Sequence, residues 1–229
     1  MKCNNKFMSE SIIVYKANDH LEASSCLSNL IIDDIKSLNK NSYSIGLSGG
    51  NTPKVTYSLL KNDITNLSKI IFWTVDERWV PIEDENSNQN LINGFFQNTG
   101  ATILDFEYTN TTADHDANLY SEKLAKNITQ FDTVILGVGE DGHIASLFPG
   151  TTALEDTHDI YTSNEVDIVS KWRVTATYKL LTSVHKVYLL VTGENKKNIL
   201  SEILNNGNTP ANDLIDKRSE TFIITDQSI

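Results

Sequence analysis

The chain has 229 residues, with 19 Lys+Arg against 30 Asp+Glu, a formal charge of −11, and 39% hydrophobic residues. That length holds one large domain or two small ones and enough apolar surface for a core. The acidic balance argues against nonspecific binding to nucleic acid or to anionic membranes, which both need basic surface. No window approaches the roughly 18 apolar residues that span a bilayer. The segment Met1–Ser11 lacks the apolar core of a secretory signal, so a cytoplasmic protein is expected. Any anionic ligand needs a local positive site that works against the overall field.

Short apolar runs alternate with amphipathic helical stretches, the pattern of an α/β protein. Strands are expected at Ile12–Tyr15, Tyr43–Leu47, Ile70–Val75, Thr133–Leu136, Val187–Val191 and Thr221–Ile224. Several are continuously apolar, as strands covered on both faces by helices should be. A first helix from Asp19 to Leu38 puts Leu27, Leu30, Ile31, Ile35 and Leu38 on one face. Thr52 as N-cap and Pro53 at the first helical position announce a second, followed by Val55, Leu59 and Leu60. Further helices are predicted over Ser87–Gln97, Asp114–Asn127 and Glu194–Asn205. Cys3 and Cys26 form neither a disulfide framework nor a metal-ligand spacing, and Cys26 reads as a small core residue in a reducing compartment. The expectation is one doubly wound α/β domain over residues 1–229, a mostly parallel sheet with helices on both faces. Ligands in such a fold bind at the C-terminal strand ends.

Four strand ends carry glycine or charge: Ser48-Gly49-Gly50-Asn51-Thr52-Pro53, Asp76-Glu77-Arg78, Gly137 to His143, and Thr192-Gly193-Glu194-Asn195-Lys196. Gly46-Leu47-Ser48-Gly49-Gly50 satisfies the G-x-S-x-G nucleophile elbow. An elbow opens its helix at the serine, however, whereas here a loop runs on to Pro53. Gly137-x-Gly139-x-x-Gly142 satisfies the dinucleotide fingerprint. That fingerprint must open a long helix, which Pro149-Gly150 would stop within about two turns.

The Ser48–Pro53 loop suits a phosphate cradle, since glycines let the backbone approach an anion and a helix N-terminus follows. It equally suits an ordinary βα turn. Arg173 and Lys196 could close such a cradle from other strand ends, arginine through two parallel hydrogen bonds. His143 is the candidate base: it sits on a glycine-rich strand end beside Asp141, a carboxylate able to orient the ring. His20, His115, His158 and His185 lie in polar or helical surroundings and are expected at the surface. Asp76 and Arg78 form a mixed-charge pair directly after a buried strand.

Taken in order, these segments resemble the 6-phosphogluconolactonase family. Ser48 to Pro53 resembles its S-G-G-S-T-P loop, and Asp76-Glu77-Arg78-Trp79-Val80-Pro81 with Ser87-Asn88 its D-E-R-x-V-P…S-N segment. Gly137 to Gly150 (GVGEDGHIASLFPG) is similar to its most specific motif, and Arg173-Val174-Thr175 and Gly193-x-x-Lys196 match its R-V-T and G-x-x-K signatures. The match runs from about residue 10 to the C-terminus. Asn51 departs from the usual serine, and the ending Asp226-Gln227-Ser228-Ile229 is shorter and more polar than the family's. The resemblance implies hydrolysis of 6-phospho-D-glucono-1,5-lactone to 6-phospho-D-gluconate in the oxidative pentose phosphate pathway, with no metal and no organic cofactor. By position, His143 would activate water beside Asp141, and Asp76 and Arg78 would line the sugar site. Ser48, Gly49, Gly50, Asn51, Thr52, Arg173 and Lys196 would hold the phosphate. The partner is then a small phosphorylated sugar lactone, and the protein a monomer or weak homo-oligomer. Glucosamine-6-phosphate deaminases share the D-G-H motif but continue it as A-F-N-E-P, where this chain has Ala145-Ser146-Leu147-Phe148-Pro149 without a carboxylate. A deaminase-like enzyme and a non-catalytic sugar-phosphate sensor remain the alternatives.

Overall fold

A computed structural model describes residues 5–8, 11–168 and 170–228. Eight strands form the central sheet: β1 (Asn5–Met8), β2 (Ile12–Lys16), β3 (Tyr43–Leu47), β4 (Ile70–Thr74), β6 (Thr102–Leu104), β7 (Thr133–Gly137), β10 (Lys186–Val191) and β11 (Thr221–Thr225). Their order is β1-β2-β11-β10-β7-β3-β4-β6, with every pairing parallel except the β1–β2 hairpin. From β3 the chain builds outward through β4 and β6, then returns to lay β7, β10 and β11 on the other side of β3. The β3–β7 boundary is therefore the switch point of the sheet, where such folds open a crevice.

Each face of the sheet carries its own core. On one face pack α1 (His20–Leu38), α2 (Lys54–Asp63) and α3 (Asn88–Phe96); on the other pack α4 (Ala113–Asn127), α5 (Tyr178–Ser183), α6 (Lys197–Leu204) and α7 (Pro210–Asp216). Successive strand residues serve opposite cores, as the twofold side-chain repeat requires. Val134 and Leu136 join one cluster and Ile135 the other, and Val187, Leu189 and Val191 alternate with Tyr188 and Leu190 in the same way. On β3 one face carries Tyr43, Ile45 and Leu47, while the other has Gly46. A Cβ at Gly46 would lie 2.4 Å from the Trp73 ring, so the indole of β4 occupies the space a side chain would take.

A second, three-stranded antiparallel sheet was not anticipated: β5 (Asp76–Arg78), β8 (Tyr161–Glu165) and β9 (Trp172–Ala176), ordered β5-β9-β8. β5 continues β4 after the single residue Val75, whose N–H donates to Leu47 O and whose carbonyl accepts from Ala176 N. That residue joins the two sheets.

Three local expectations are corrected. Thr52 is not a helix cap: Pro53 holds that position, α2 begins at Lys54, and no side chain caps it. The buried stripe of α1 is Ala23, Cys26, Leu27, Ile31 and Ile32, while Leu38 is 40% exposed. Cys26 is a buried core residue as expected, but it is disulfide-bonded, where no disulfide was expected. Ile229 lies outside the described residues; the neighbouring Asp226 carboxylate accepts the Gly193 N–H at 2.9 Å. Among the described residues no helix is long and apolar enough to cross a membrane.

Candidate active site

A cleft of about 230 Å³ opens at the C-terminal ends of β10, β7, β3 and β4, across the switch point. Ser48, Gly49, Gly50, Thr52, Asp76, Arg78, His143 and Lys196 line it. Asn88, Ala145, Leu190 and Thr192 line it too, and were not among the expected site residues.

The loop after β7 is folded by backbone hydrogen bonds rather than by a helix. Gly139 N–H donates to the His143 carbonyl at 2.8 Å and Gly142 N–H to the Gly139 carbonyl at 3.1 Å. Gly142 sits at φ +78, a conformation that disfavours any side chain. The tight loop folds Asp141 back on His143: Asp141 Oδ1 lies 2.5 Å from Nδ1 of the ring and 3.2 Å from the His143 backbone N. A Cβ at Gly139 would stand 2.1 Å from His143 Nδ1 and 2.4 Å from Asp141 Oδ1. Glycine at 139 is what allows the couple to close over the strand end. The ring also stacks on Phe148, with centroids 4.1 Å apart and planes at 28°. Burial is the largest single influence on Asp141 and works to raise its carboxyl. The His143 backbone N–H, the imidazole charge and the ring hydrogen bond together outweigh burial and hold the carboxyl below its ordinary range. Asp141 itself does not line the cleft and reaches it through the imidazole.

Opposite this loop, β5 presents Asp76 and Arg78 on one face and Glu77 on the other, by the strand's alternation. Asp76 is 7% exposed and accepts a hydrogen bond from Ser146 Oγ at 2.6 Å. Arg78 Nη1 donates to the Asn86 carbonyl at 2.7 Å. Glu77 turns away and receives the N-terminus of α3. Its carboxylate accepts from Asn88 N at 2.7 Å, Gln89 N at 2.6 Å, Ser87 Oγ at 3.0 Å and Arg78 N at 2.7 Å. Burial pushes the Glu77 carboxyl up to about 7, against the pull of these four donors. Asn88 is thereby held so that its Nδ2 donates to the Asp76 carbonyl at 2.7 Å. The middle residue of the Asp76–Arg78 segment thus locks the outer two against a helix. Its role was hidden in the sequence, where only its charge could be read.

The Ser48–Pro53 loop enters the cleft through its backbone. Ser48 is 6% exposed and its hydroxyl donates to the Ile135 carbonyl at 2.9 Å, so that oxygen serves the fold and is unavailable as a nucleophile. Gly49 lies against Asn88: a Cβ there would meet Asn88 Oδ1 at 1.7 Å. Gly50 is at φ +85 and Thr52 lines the cleft, whereas Asn51 is exposed and does not. Lys196 ends a short 3₁₀ turn (Glu194–Lys196) after β10. Arg173 stands one layer back. It is 5% exposed, directly opposite Arg78 in the β5–β9 ladder, and outside the cleft lining. Burial and the neighbouring Arg78 charge lower its affinity for its proton, while Asp76 and Glu77 counter them.

Of the four other histidines, His115, His158 and His185 are exposed as expected. His20 is half-buried instead, with Nδ1 2.8 Å from Thr192 Oγ1. No local spacing could have revealed this contact, which joins residues 172 positions apart.

The family described as glucosamine-6-phosphate isomerases/6-phosphogluconolactonase matches residues 18–223. The chain is 36% identical over 181 residues to a 6-phosphogluconolactonase of Borreliella burgdorferi, covering 73% of this chain and 75% of that protein. It is 32% identical over 201 residues to a 6-phosphogluconolactonase of Rhizobium meliloti, covering 81% and 87%. Among solved structures, 6-phosphogluconolactonase from Trypanosoma brucei superposes with a TM-score of 0.83 at 25% identity, covering 96% of this chain and 97% of that one. With the match running from the start of α1 into β11 and taking in all four loops of the cleft, the chain belongs to the glucosamine-6-phosphate isomerase/6-phosphogluconolactonase family.

Proposed function

We propose that the chain hydrolyses 6-phospho-D-glucono-1,5-lactone to 6-phospho-D-gluconate, with His143 as the base that activates water. The observation that carries this reading is the Asp141–His143 couple at a cleft that also holds Arg78 and Lys196. Asp141, held as a carboxylate, binds Nδ1 and leaves Nε2 to take a proton from water. The water oxygen adds to C1 of the lactone, giving a tetrahedral oxyanion. Collapse breaks the bond between C1 and the ring oxygen, and the imidazolium returns its proton to that leaving oxygen. A lactone is an activated ester, so one base, one positioned water and stabilisation of the oxyanion are sufficient chemistry.

Lys196, Thr52 and the backbone of the glycine loop hold the phosphate in this reading, with Arg173 adding its charge from behind Arg78. The phosphate is remote from the reacting carbon, so its binding energy can fix the ring for attack. The acidic exterior then favours release of a product that carries one more negative charge than the substrate.

The family also contains deaminases. What favours the lactonase is the ring facing the base: Phe148 stacks on His143 at the position where the deaminase motif carries its glutamate. Freshly generated lactone incubated with the protein should disappear well above the spontaneous rate, and His143→Ala should remove the increment. Equal rates with and without protein would refute the proposal. Ammonia release from glucosamine 6-phosphate would point to the deaminase, and saturable binding without turnover to a sensor.

A further inference from the structure

We infer that His20 is a positioning residue for this cleft: it holds the Thr192 hydroxyl so that its proton points at the phosphate of the ligand. The inference rests on the lactonase reading of the same site.

Thr192 lines the cleft yet is 8% exposed, at the end of β10 and four residues before Lys196. Its backbone neighbour Gly193 is secured by the Asp226 carboxylate, at φ +100. Its Oγ1 lies 2.8 Å from His20 Nδ1. His20 is itself rigidly mounted as the first residue of α1. Asp19 Oδ1 accepts from Glu22 N at 2.8 Å, and Glu22 Oε2 accepts from Asn18 N at 2.8 Å and Asn18 Nδ2 at 2.6 Å. This reciprocal cap fixes the entry to the helix. Ala17 N–H, donating to the Thr225 carbonyl at 2.8 Å, ties the same segment to β11. Two anchored backbones thus bring the imidazole against the hydroxyl, and neither side chain has to search for the other.

A threonine hydroxyl has one proton and two lone pairs. When His20 carries its proton on Nδ1, it donates to Thr192 Oγ1 and fills one lone pair. The hydroxyl proton is then free to turn into the cleft, toward the anion that Lys196 and the Gly49-Gly50 backbone also face. Without His20 the hydroxyl can rotate onto a nearby carbonyl, as threonine hydroxyls commonly do, and the anion loses a preoriented donor.

The experiment compares wild type with His20→Ala, His20→Asn, Thr192→Val and the double variant His20→Ala/Thr192→Val. Steady-state hydrolysis gives KM and kcat, and inorganic phosphate serves as a competitive inhibitor. One lost hydrogen bond to a charged group predicts a rise in KM of about tenfold for Thr192→Val. His20→Ala should raise KM about fivefold with kcat within twofold, because binding and not chemistry is affected. The Ki for phosphate should rise by the same factors. His20→Asn, whose amide can donate from the place of Nδ1, should restore both values to within about twofold. The double variant should be no worse than Thr192→Val alone, since residues acting through one contact are not additive.

Independent multiplicative effects, an unchanged phosphate Ki, or a loss in kcat at constant KM would each overturn the inference. Calorimetric binding of 6-phosphogluconate gives a readout that does not need turnover. If wild type fails to hydrolyse the lactone, the functional reading fails; if wild type is active but the variants bind as it does, only the role of His20 fails.

Discussion

Replacing Gly139 by alanine tests the proposed base without touching it. The added Cβ would stand 2.1 Å from His143 Nδ1 and 2.4 Å from Asp141 Oδ1, and ordinary contact begins near 3.4 Å. The imidazole and the carboxylate must each retreat by about 1 Å, and misplacement on that scale costs on the order of 100-fold in rate. Loss of the oriented ring as a general base has a similar size, about 10² to 10⁴. The fold should survive. Gly139 does not occupy the left-handed region, and the side chains that must move are 30% and 48% exposed. A stability loss below about 1 kcal/mol is expected, a shift in Tm of about 2–4 °C at most. The assay is lactone hydrolysis corrected for the spontaneous reaction, with thermal denaturation in parallel. Gly139→Ala should lower kcat about 100-fold, and Asp141→Ala in the same background should add little, since both disable one couple. A kcat within threefold of wild type would show that the Asp141–His143 contact does not matter to the reaction.

Other outcomes follow from the same geometry. Gly49→Ala places a Cβ 1.7 Å from Asn88 Oδ1, so Asn88 must leave the Asp76 carbonyl; KM should rise at least tenfold, measured in the same assay. Ser146→Ala removes the donor to the buried Asp76 carboxylate and should cost about 1–3 kcal/mol in chemical denaturation. Glu77→Gln leaves one acceptor oxygen for donors that now meet two, and should be destabilising by about 2 kcal/mol at low pH. Because burial raises the Glu77 carboxyl from 4.5 to about 7, its favourable contribution is complete below pH 4.5 and is lost as pH rises through 7. That fall amounts to about 3 kcal/mol in wild type and is absent in the variant, so the gap of about 2 kcal/mol should close as pH rises and reverse slightly above pH 7. A gap that widens instead would mean that the four donors outweigh burial and favour the charged carboxylate.

The central strands were legible because each is buried on both faces and so reads as an unbroken apolar run; Tyr43–Leu47 matches to the residue. β5 and β8 escaped notice for the opposite reason. Asp76-Glu77-Arg78 and Tyr161-Thr162-Ser163-Asn164-Glu165 are short and polar, and their strand character comes from pairing with β9 rather than from their composition. α7 was not expected: in the structure Thr209 caps it and Pro210 opens it, and a helix this short has no periodicity to reveal it. At the site, the glycines of the Gly137–His143 loop were visible, but what they make room for was not. That Gly139 yields to the Asp141–His143 couple and Gly142 to Thr209, which a Cβ would meet at 2.4 Å, is a fact about space rather than spacing. Glu77, Thr192 and His20 act through partners that only the folded chain brings near.

The β3–β7 junction sets an order of events for the nascent or refolding chain. β3 and β4 are near neighbours in sequence, but the cleft needs β7 to dock beside β3, pairing Ile45 with Thr133 and Leu47 with Ile135 across almost ninety residues. Loop closure on that scale is entropically slow compared with pairing of adjacent segments. A chain stalled after β6 carries Asp76, Arg78 and the glycine loop, but without β7 to anchor Ser48 and β9 to pair with β5 neither wall of the crevice is in place. Recovery of hydrolysis during refolding should accordingly lag behind the return of helical signal, and its rate reports the closing of the sheet at its centre.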